Sequence, residues 1–259
     1  MKRRKKRIEN QRPRRGIYVL PNIFTSLNLF CGFYAIIASI DGKFIAASVA
    51  ILIGIMFDTL DGKIARATRT SSKFGVEYDS LADLISFGLA PGVMIYLWAL
   101  RPLGRIGWLA AFLFMACGAL RLARFNTQTG SSAGDHFVGL PIPAGAGMSV
   151  TTFLFFQRLG IDGNSNPILI LIMLYVLSFL MVSTIKYESF KKPEVFKKMN
   201  FNVSVAAILI MIFIAAQPSI ALFLMGVSYV TLGPFNALRK IKQAKAEAHN
   251  RDKHGATPI

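Results

Sequence analysis

The feature that most constrains this chain is a series of long apolar runs. Segments such as FIAASVAILIGIMF from Phe44 and ILILIMLYVLSFLMV from Ile168 contain no charged residue. Several runs approach or exceed the ~18–20 apolar residues that cross a bilayer's hydrocarbon. Inside lipid, backbone N–H and C=O groups must be satisfied within the protein, and a helix satisfies its own. The expected fold class is therefore an all-α polytopic membrane protein. A hydrophobic content of 53% and a mean hydropathy of +0.48 are too apolar for a soluble domain of 259 residues. Eight spans are expected, at 22–40, 44–67, 76–100, 107–125, 142–156, 167–185, 203–216 and 219–238. Pro21 suits the start of the first, where its missing N–H costs nothing, and Asp41-Gly42 suits a short turn into the second.

Charge then orients the spans. The chain carries 30 Lys and Arg against 13 acids, a net charge of +17. In a soluble protein that excess points to nucleic acid. Here the cations sit at the chain ends and in short loops, where positive-inside topology and anionic lipid headgroups use them, so no nucleic-acid partner is expected. With the N-terminus in the cytoplasm, 26 of the 30 fall on the cytoplasmic side. Both termini are therefore expected in the cytoplasm, with the protein in the cytoplasmic (plasma) membrane. Residues 1–16 hold nine of these cations and one acid, and read as a disordered tail before a retained first helix rather than as a cleaved signal peptide. Cys31 and Cys117 lie in expected spans and read as buried free thiols. Tyr18, Trp98 and Trp108 lie near span ends and fit an interfacial aromatic belt.

Against this background the stretch FDTLDGKIARATRTSSKFGVEYDSLADLI, from Phe57, stands out. It puts Asp58, Asp61, Asp79 and Asp83 at the edges of apolar segments, where ionisable side chains are costly and mark function. Spacings of three and four place each pair on one helix face. The two helices are consecutive, so the acidic faces can meet at the cytoplasmic end. Facing carboxylates repel unless a cation neutralises them, and oxygen-only ligands suit Mg²⁺, Mn²⁺ or Ca²⁺. Gly62, Ala65 and Gly75 keep the surrounding space clear, Arg66 offers a fork suited to phosphate oxygens, and Ser72 offers a hydroxyl. Together they suggest metal-bridged diphosphate binding. The blander alternatives are small residues that merely allow close helix packing, and acids paired with Lys63, Arg66 or Arg69. Ser71 or Ser72 also suits the cap of the third helix.

The pattern D-x2-D-G-x2-A-R-x8-G-x3-D-x3-D, complete here from Asp58 to Asp83, resembles the signature of the CDP-alcohol phosphotransferase family. The resemblance implies a six-helix membrane core, here with two additional C-terminal transmembrane helices, in a homodimer. It also implies displacement of CMP from a CDP-linked donor by an alcohol. By the same resemblance, Asp58, Asp61 and Asp79 match metal ligands for one or two divalent cations, Mg or Mn. Asp83 matches the general base and is counted with the metal ligands. Gly62, Arg66 and Ser72 match donor-contacting positions, and Ala65 and Gly75 belong to the same donor-binding set. The implied domains are a basic tail (1–16), a catalytic membrane domain (17–200), two further transmembrane helices (201–238) and a basic cytoplasmic tail (239–259).

Three further stretches, PNIFTSLNLFCGF from Pro21, ALRLARFN from Ala119 and GLPIPAGAG from Gly139, are similar to the serine-accepting branch of that family. They imply a CDP-diacylglycerol donor, or an ether-lipid equivalent, with L-serine as acceptor. Asn22, Thr25 and Asn28 recur every three residues on the first helix and are candidates for the donor nucleotide; capping and inter-helix hydrogen bonds are the alternative. Arg121, Arg124, Asn126 and Lys186 are candidates for the acceptor headgroup; lipid phosphate or plain anchoring are the alternatives for these cations. Two rival functions stay open on sequence: a phosphorylated polyol (glycerol 3-phosphate or inositol phosphate) as acceptor, and a non-catalytic divalent-cation transporter.

Overall fold

Helices α1 (Val19–Ile40) and α2 (Phe44–Thr68) form an antiparallel pair joined at Asp41-Gly42-Lys43. Gly42 takes the turn with φ 74°. Lipid gives apolar surfaces little reason to associate, so membrane helices hold together by close packing of small residues. Here Ala35 and Ala38 of α1 and Ala47 and Ala50 of α2 are all buried in one core cluster. The structure is a computed structural model of the chain and describes residues 19–68, 72–128, 136–188 and 216–255.

The third rod, α3 (Lys73–Leu103), is continuous. It starts on Ser72, whose Oγ accepts the Gly75 backbone N–H at 2.9 Å, a side-chain N-cap. Just beyond Asp83 the rod widens into a π-turn at Leu84–Leu89, and again at Tyr96–Leu100. Pro91 follows the first wide turn. A proline inside an α-helix removes a hydrogen bond and crowds the carbonyl four residues back, and the looser turn admits its ring without breaking the rod. The rod begins three residues earlier than the sequence pattern suggests, because Ser72 rather than an apolar residue sets its start.

Around α3 stand α4 (Arg105–Gln128), α5 (Ile142–Arg158), α6 (Pro167–Val182) and α7 (Pro218–Gly255). α4 packs on α6, and α5 packs on α2 and α7. Phe87, Met94, Ile95 and Trp98 of α3 meet Phe114 of α4, Phe153 of α5 and Leu174 of α6 in the core. Among the described residues five helices are long and apolar enough to cross a membrane, and α6 is a shorter apolar helix. Phe30, Phe33, Ile40, Met56 and Phe179 point outward, as side chains facing lipid do. The molecule is an all-α polytopic membrane protein.

The structure corrects several local expectations. Trp98 is not an interfacial residue: it is 5% exposed and wedged edge-on between Phe153 and Phe156, whereas Trp108 is exposed. The connection after α4 and the basic loop after α6 are not wholly irregular. His136–Val138 (β1) pairs antiparallel with Lys186–Glu188 (β2), aligning Phe137 with Tyr187. Gly139, at φ 82°, turns the chain from this ribbon into α5, and its N–H reaches the Ile185 carbonyl at 2.8 Å. α6 accordingly stops at Val182, short of the expected 185. The polar segment from Arg239 stays helical to Gly255, since Lys, Ala, Glu and Gln all favour helix. The expected span at 203–216 lies outside the described residues except for its last position, and residues 1–16 and Tyr18 lie outside them entirely.

Candidate active site

The capped start of α3 and the last turns of α2 bring the acidic pairs to the same end of the bundle. One carboxylate oxygen from each of Asp58, Asp61 and Asp79 lies within 4.8 Å of the others. Asp61 is 4% exposed and Asp83 8%; Asp79 is half-buried, yet its Oδ1 is shielded from solvent and has no hydrogen-bond partner among the described residues. Among those residues no cation forms an ion pair with Asp61, Asp79 or Asp83. Buried anionic oxygens so close together are costly unless a positive charge joins them. Three convergent carboxylates and an orphaned oxygen fit the hard-oxygen preference of a divalent cation, so the acidic cluster is able to bind one.

Helix α1 supplies the partners of two of these acids. Thr25 Oγ1 lies 3.1 Å from Asp61 Oδ2 and 3.1 Å from the Pro21 carbonyl. Asn28 is completely buried and donates from Nδ2 to Asp83 Oδ1 at 3.0 Å. Asn28 is itself held: Ser86 Oγ donates to its backbone carbonyl at 2.8 Å. Two glycines make this arrangement possible. A Cβ at Gly54 would stand 3.0 Å from Asn28 Oδ1, and a Cβ at Gly32 would overlap both the hydroxyl and the backbone of Ser86. Asp83 lies outside the close triplet but within electrostatic range of Asp58, Asp61 and Asp79.

A second corner gathers Asn22, Ser72 and Gly75. A Cβ on Gly75 would lie 3.2 Å from Ser72 Oγ and 3.4 Å from Asn22 Oδ1, so the glycine keeps this corner open. Gly62 and Ala65 are half-buried on α2. The Arg66 backbone lies in α2, and its side chain is outside the described ones. Ser26 Oγ and the Tyr78 hydroxyl, 2.9 Å apart, tie α1 to α3 at the rim.

The acceptor candidates divide. Arg121, on α4, is half-buried and within electrostatic range of Asp83. Its Nε is shielded and finds no hydrogen-bond partner among the described residues. Asn126 instead turns to α3, donating to Ser80 Oγ at 3.0 Å and to Glu77 Oε2 at 3.4 Å. Arg124 is half-buried and its carbonyl accepts from Thr127. Lys186 lies in β2, with its side chain outside the described ones.

This arrangement of acids on α2 and α3, facing α1, falls inside the segment that matches a known family. The sequence profile of CDP-alcohol phosphatidyltransferases matches residues 18–185. The chain belongs to the CDP-alcohol phosphatidyltransferase family. It is 37% identical over 211 residues to the CDP-diacylglycerol–serine O-phosphatidyltransferase of Helicobacter pylori, covering 81% of this chain and 87% of that protein. It is 39% identical over 173 residues to the protein of the same name from Bacillus subtilis, covering 67% and 92%. It is 40% identical over 170 residues to the archaetidylserine synthase of Methanothermobacter thermautotrophicus, covering 65% and 69%. The chain is thus a membrane-embedded transferase of phospholipid biosynthesis, similar to the serine O-phosphatidyltransferase branch.

In this CDP-alcohol phosphatidyltransferase, sequence reasoning passed over Ser86, Glu77, Ser80 and Tyr78. Ser86 had a readable signal: it is a hydroxyl in an apolar run three residues beyond Asp83, on the face that must approach α1. Glu77 and Ser80 carry no such signal, because a polar residue near a helix start is unremarkable until its partner, Asn126, is known.

Proposed function

We propose that this phosphatidyltransferase moves the phosphatidyl group of CDP-diacylglycerol, or of an ether-lipid equivalent, onto the hydroxyl of L-serine, giving phosphatidylserine and CMP. The observation that carries this reading is the convergence of Asp58, Asp61 and Asp79 beside an Asp83 held by Asn28. The names of the relatives supply the acceptor. The archaetidylserine synthase among them is the reason to keep an ether-lipid donor in view.

Asp58, Asp61 and Asp79, with Asp83 at their edge, would hold one or two divalent cations, Mg²⁺ or Mn²⁺. Bound there, the cation neutralises the diphosphate and makes CMP a better leaving group. Asn22, Ser72 and the space left by Gly75 face the donor, as do Gly62, Ala65 and Arg66. Thr25 acts on the donor end through Asp61, which it orients. Asp83 accepts the proton of the serine hydroxyl as that oxygen bonds to the β-phosphorus. The bond from that phosphorus to the CMP oxygen breaks, and CMP leaves with the electron pair. Asn28 keeps the Asp83 carboxylate in one orientation throughout.

The segment 17–200 is the catalytic membrane domain of this proposal, with 201–238 as additional transmembrane helices and 1–16 and 239–259 as basic cytoplasmic tails. The active site and both termini face the cytoplasm of the plasma membrane, the basic segments meet anionic lipids, and two copies associate as a homodimer. The test is incorporation of labelled acceptor into lipid by membranes containing the protein and CDP-diacylglycerol. Label from L-serine should enter phosphatidylserine, and label from glycerol 3-phosphate or an inositol phosphate should not. Incorporation of a phosphorylated polyol in place of serine would overturn the acceptor assignment.

A further inference from the structure

We propose that Tyr229, on the C-terminal helix outside the segment matched by the family, completes the acceptor pocket with Arg121 and recognises the carboxylate of an amino-acid acceptor. This inference rests on the serine-accepting reading above. It begins with a charge that has no partner among the described residues. Arg121 makes no hydrogen bond or ion pair among the described residues, and its Nε is shielded from solvent. A guanidinium withdrawn from water is costly without an anion. The anion within its electrostatic range is Asp83, which Asn28 already engages.

Helix α7 brings a second polar group to the same place. It is fastened along α5 by Phe223 stacked on Phe155, with centroids 4.3 Å apart, and by Gly226, where a Cβ would lie 3.1 Å from Met148 Sδ and 3.4 Å from Thr151 Oγ1. It starts near Arg158, whose Nε donates to Gln217 Oε1 at 3.3 Å. It therefore runs antiparallel to α5, toward the end where Ile142 lies beside Gly88 and Gly118, one turn from Asp83 and Arg121. Tyr229 follows Gly226 by three residues, packs its half-buried ring against the core, and lies within electrostatic range of Arg121.

Arg121 and Tyr229 together offer one full positive charge and one neutral hydroxyl donor. That set suits a monoanionic carboxylate better than a phosphate dianion, which calls for more cations. A carboxylate held there leaves the acceptor hydroxyl to approach Asp83. A site built to hydrogen-bond its substrate rejects analogues that leave those groups unpaired. The helix outside the family segment would thus set acceptor choice rather than serve as an added anchor.

The test is steady-state CMP release by the purified full chain, comparing the unmodified protein with Tyr229→Phe, which keeps the ring and removes the hydroxyl. The KM for L-serine should rise roughly tenfold or more, the cost of losing a hydrogen bond to a charged group. The kcat and the KM for CDP-diacylglycerol should stay within about twofold, because the binding lost is uniform across the reaction. Ser228→Ala, whose hydroxyl among the described residues bonds only within its own helix, should change none of the three. An unchanged serine KM in Tyr229→Phe overturns the proposal, and so does a parallel fall in kcat and both affinities. An unmodified protein that uses a phosphorylated polyol and not serine overturns the acceptor reading, and this proposal with it, before any variant is compared.

Discussion

Asp83 and Asn28 form the pair on which residue-scale predictions turn. Replacing Asp83 by Asn keeps the side chain's size and removes the proposed base. CMP release should fall by ~100-fold or more, the usual worth of a positioned base, while CDP-diacylglycerol binding measured by ligand-induced thermal shift persists. Near-normal turnover in Asp83→Asn would rule out the base assignment. Asp58→Asn removes one of three converging carboxylates, and should raise together the metal concentration and the CDP-diacylglycerol concentration needed for half-maximal rate. Asn28→Ala leaves the Asp83 oxygen without its donor. It should lower kcat by about tenfold with little change in donor KM; a rise in donor KM at constant kcat would instead mean that Asn28 contacts the nucleotide directly. The positions of the acids were legible from spacing alone, because helix periodicity maps directly onto faces. The partners of Thr25 and Asn28 were not, since a polar residue every three positions on α1 suits either a ligand or a neighbouring helix. The approach of α1 to α2 and α3 gives both residues partners on the neighbouring helices, and that approach is set by Gly32, Gly54 and the alanines.

At the scale of elements, the active site depends on how closely α1 and α3 meet. A Cβ on Gly32 overlaps Ser86, including its backbone, so Gly32→Ala must push the helices apart and break the Ser86 bond that holds Asn28. Overpacking of this kind costs about 1–3 kcal/mol. It should appear as a lower melting temperature in detergent together with a loss of turnover. An unshifted melt would show that the helices can part without cost. The positions of the main helices were readable in the apolar runs, with ends displaced by a few residues where a cap or a turn intervened. The β1–β2 ribbon was not readable, because two three-residue strands far apart in sequence leave no periodicity of their own. The helical continuation of α7 was hidden by its polarity: Arg239 to Gly255 lacks the apolar stripe that marks a helix, and only residue propensity favours one there. Trp98 was misplaced because its nearness to a span end says nothing of the aromatic pair on α5 that encloses it.

For the whole molecule, the distribution of Lys and Arg predicts both termini in the cytoplasm. A reporter active only in the cytoplasm should be active when fused after Ile259; activity of a reporter that works only outside the cytoplasm would reverse the topology. With that topology the acidic cluster, the corner at Asn22, Ser72 and Gly75, and Arg121 would open on the cytoplasmic side, where the proposed serine and CDP-linked lipid could meet. The proposed reaction joins the two. The most direct measurement is CMP release by the purified protein supplied with CDP-diacylglycerol and Mg²⁺ or Mn²⁺, with and without L-serine and with and without a chelator. Release should require both serine and the divalent cation and be matched mole for mole by phosphatidylserine. Release that ignores serine, or no release with any alcohol while the protein still binds the cation, would contradict the proposed reaction.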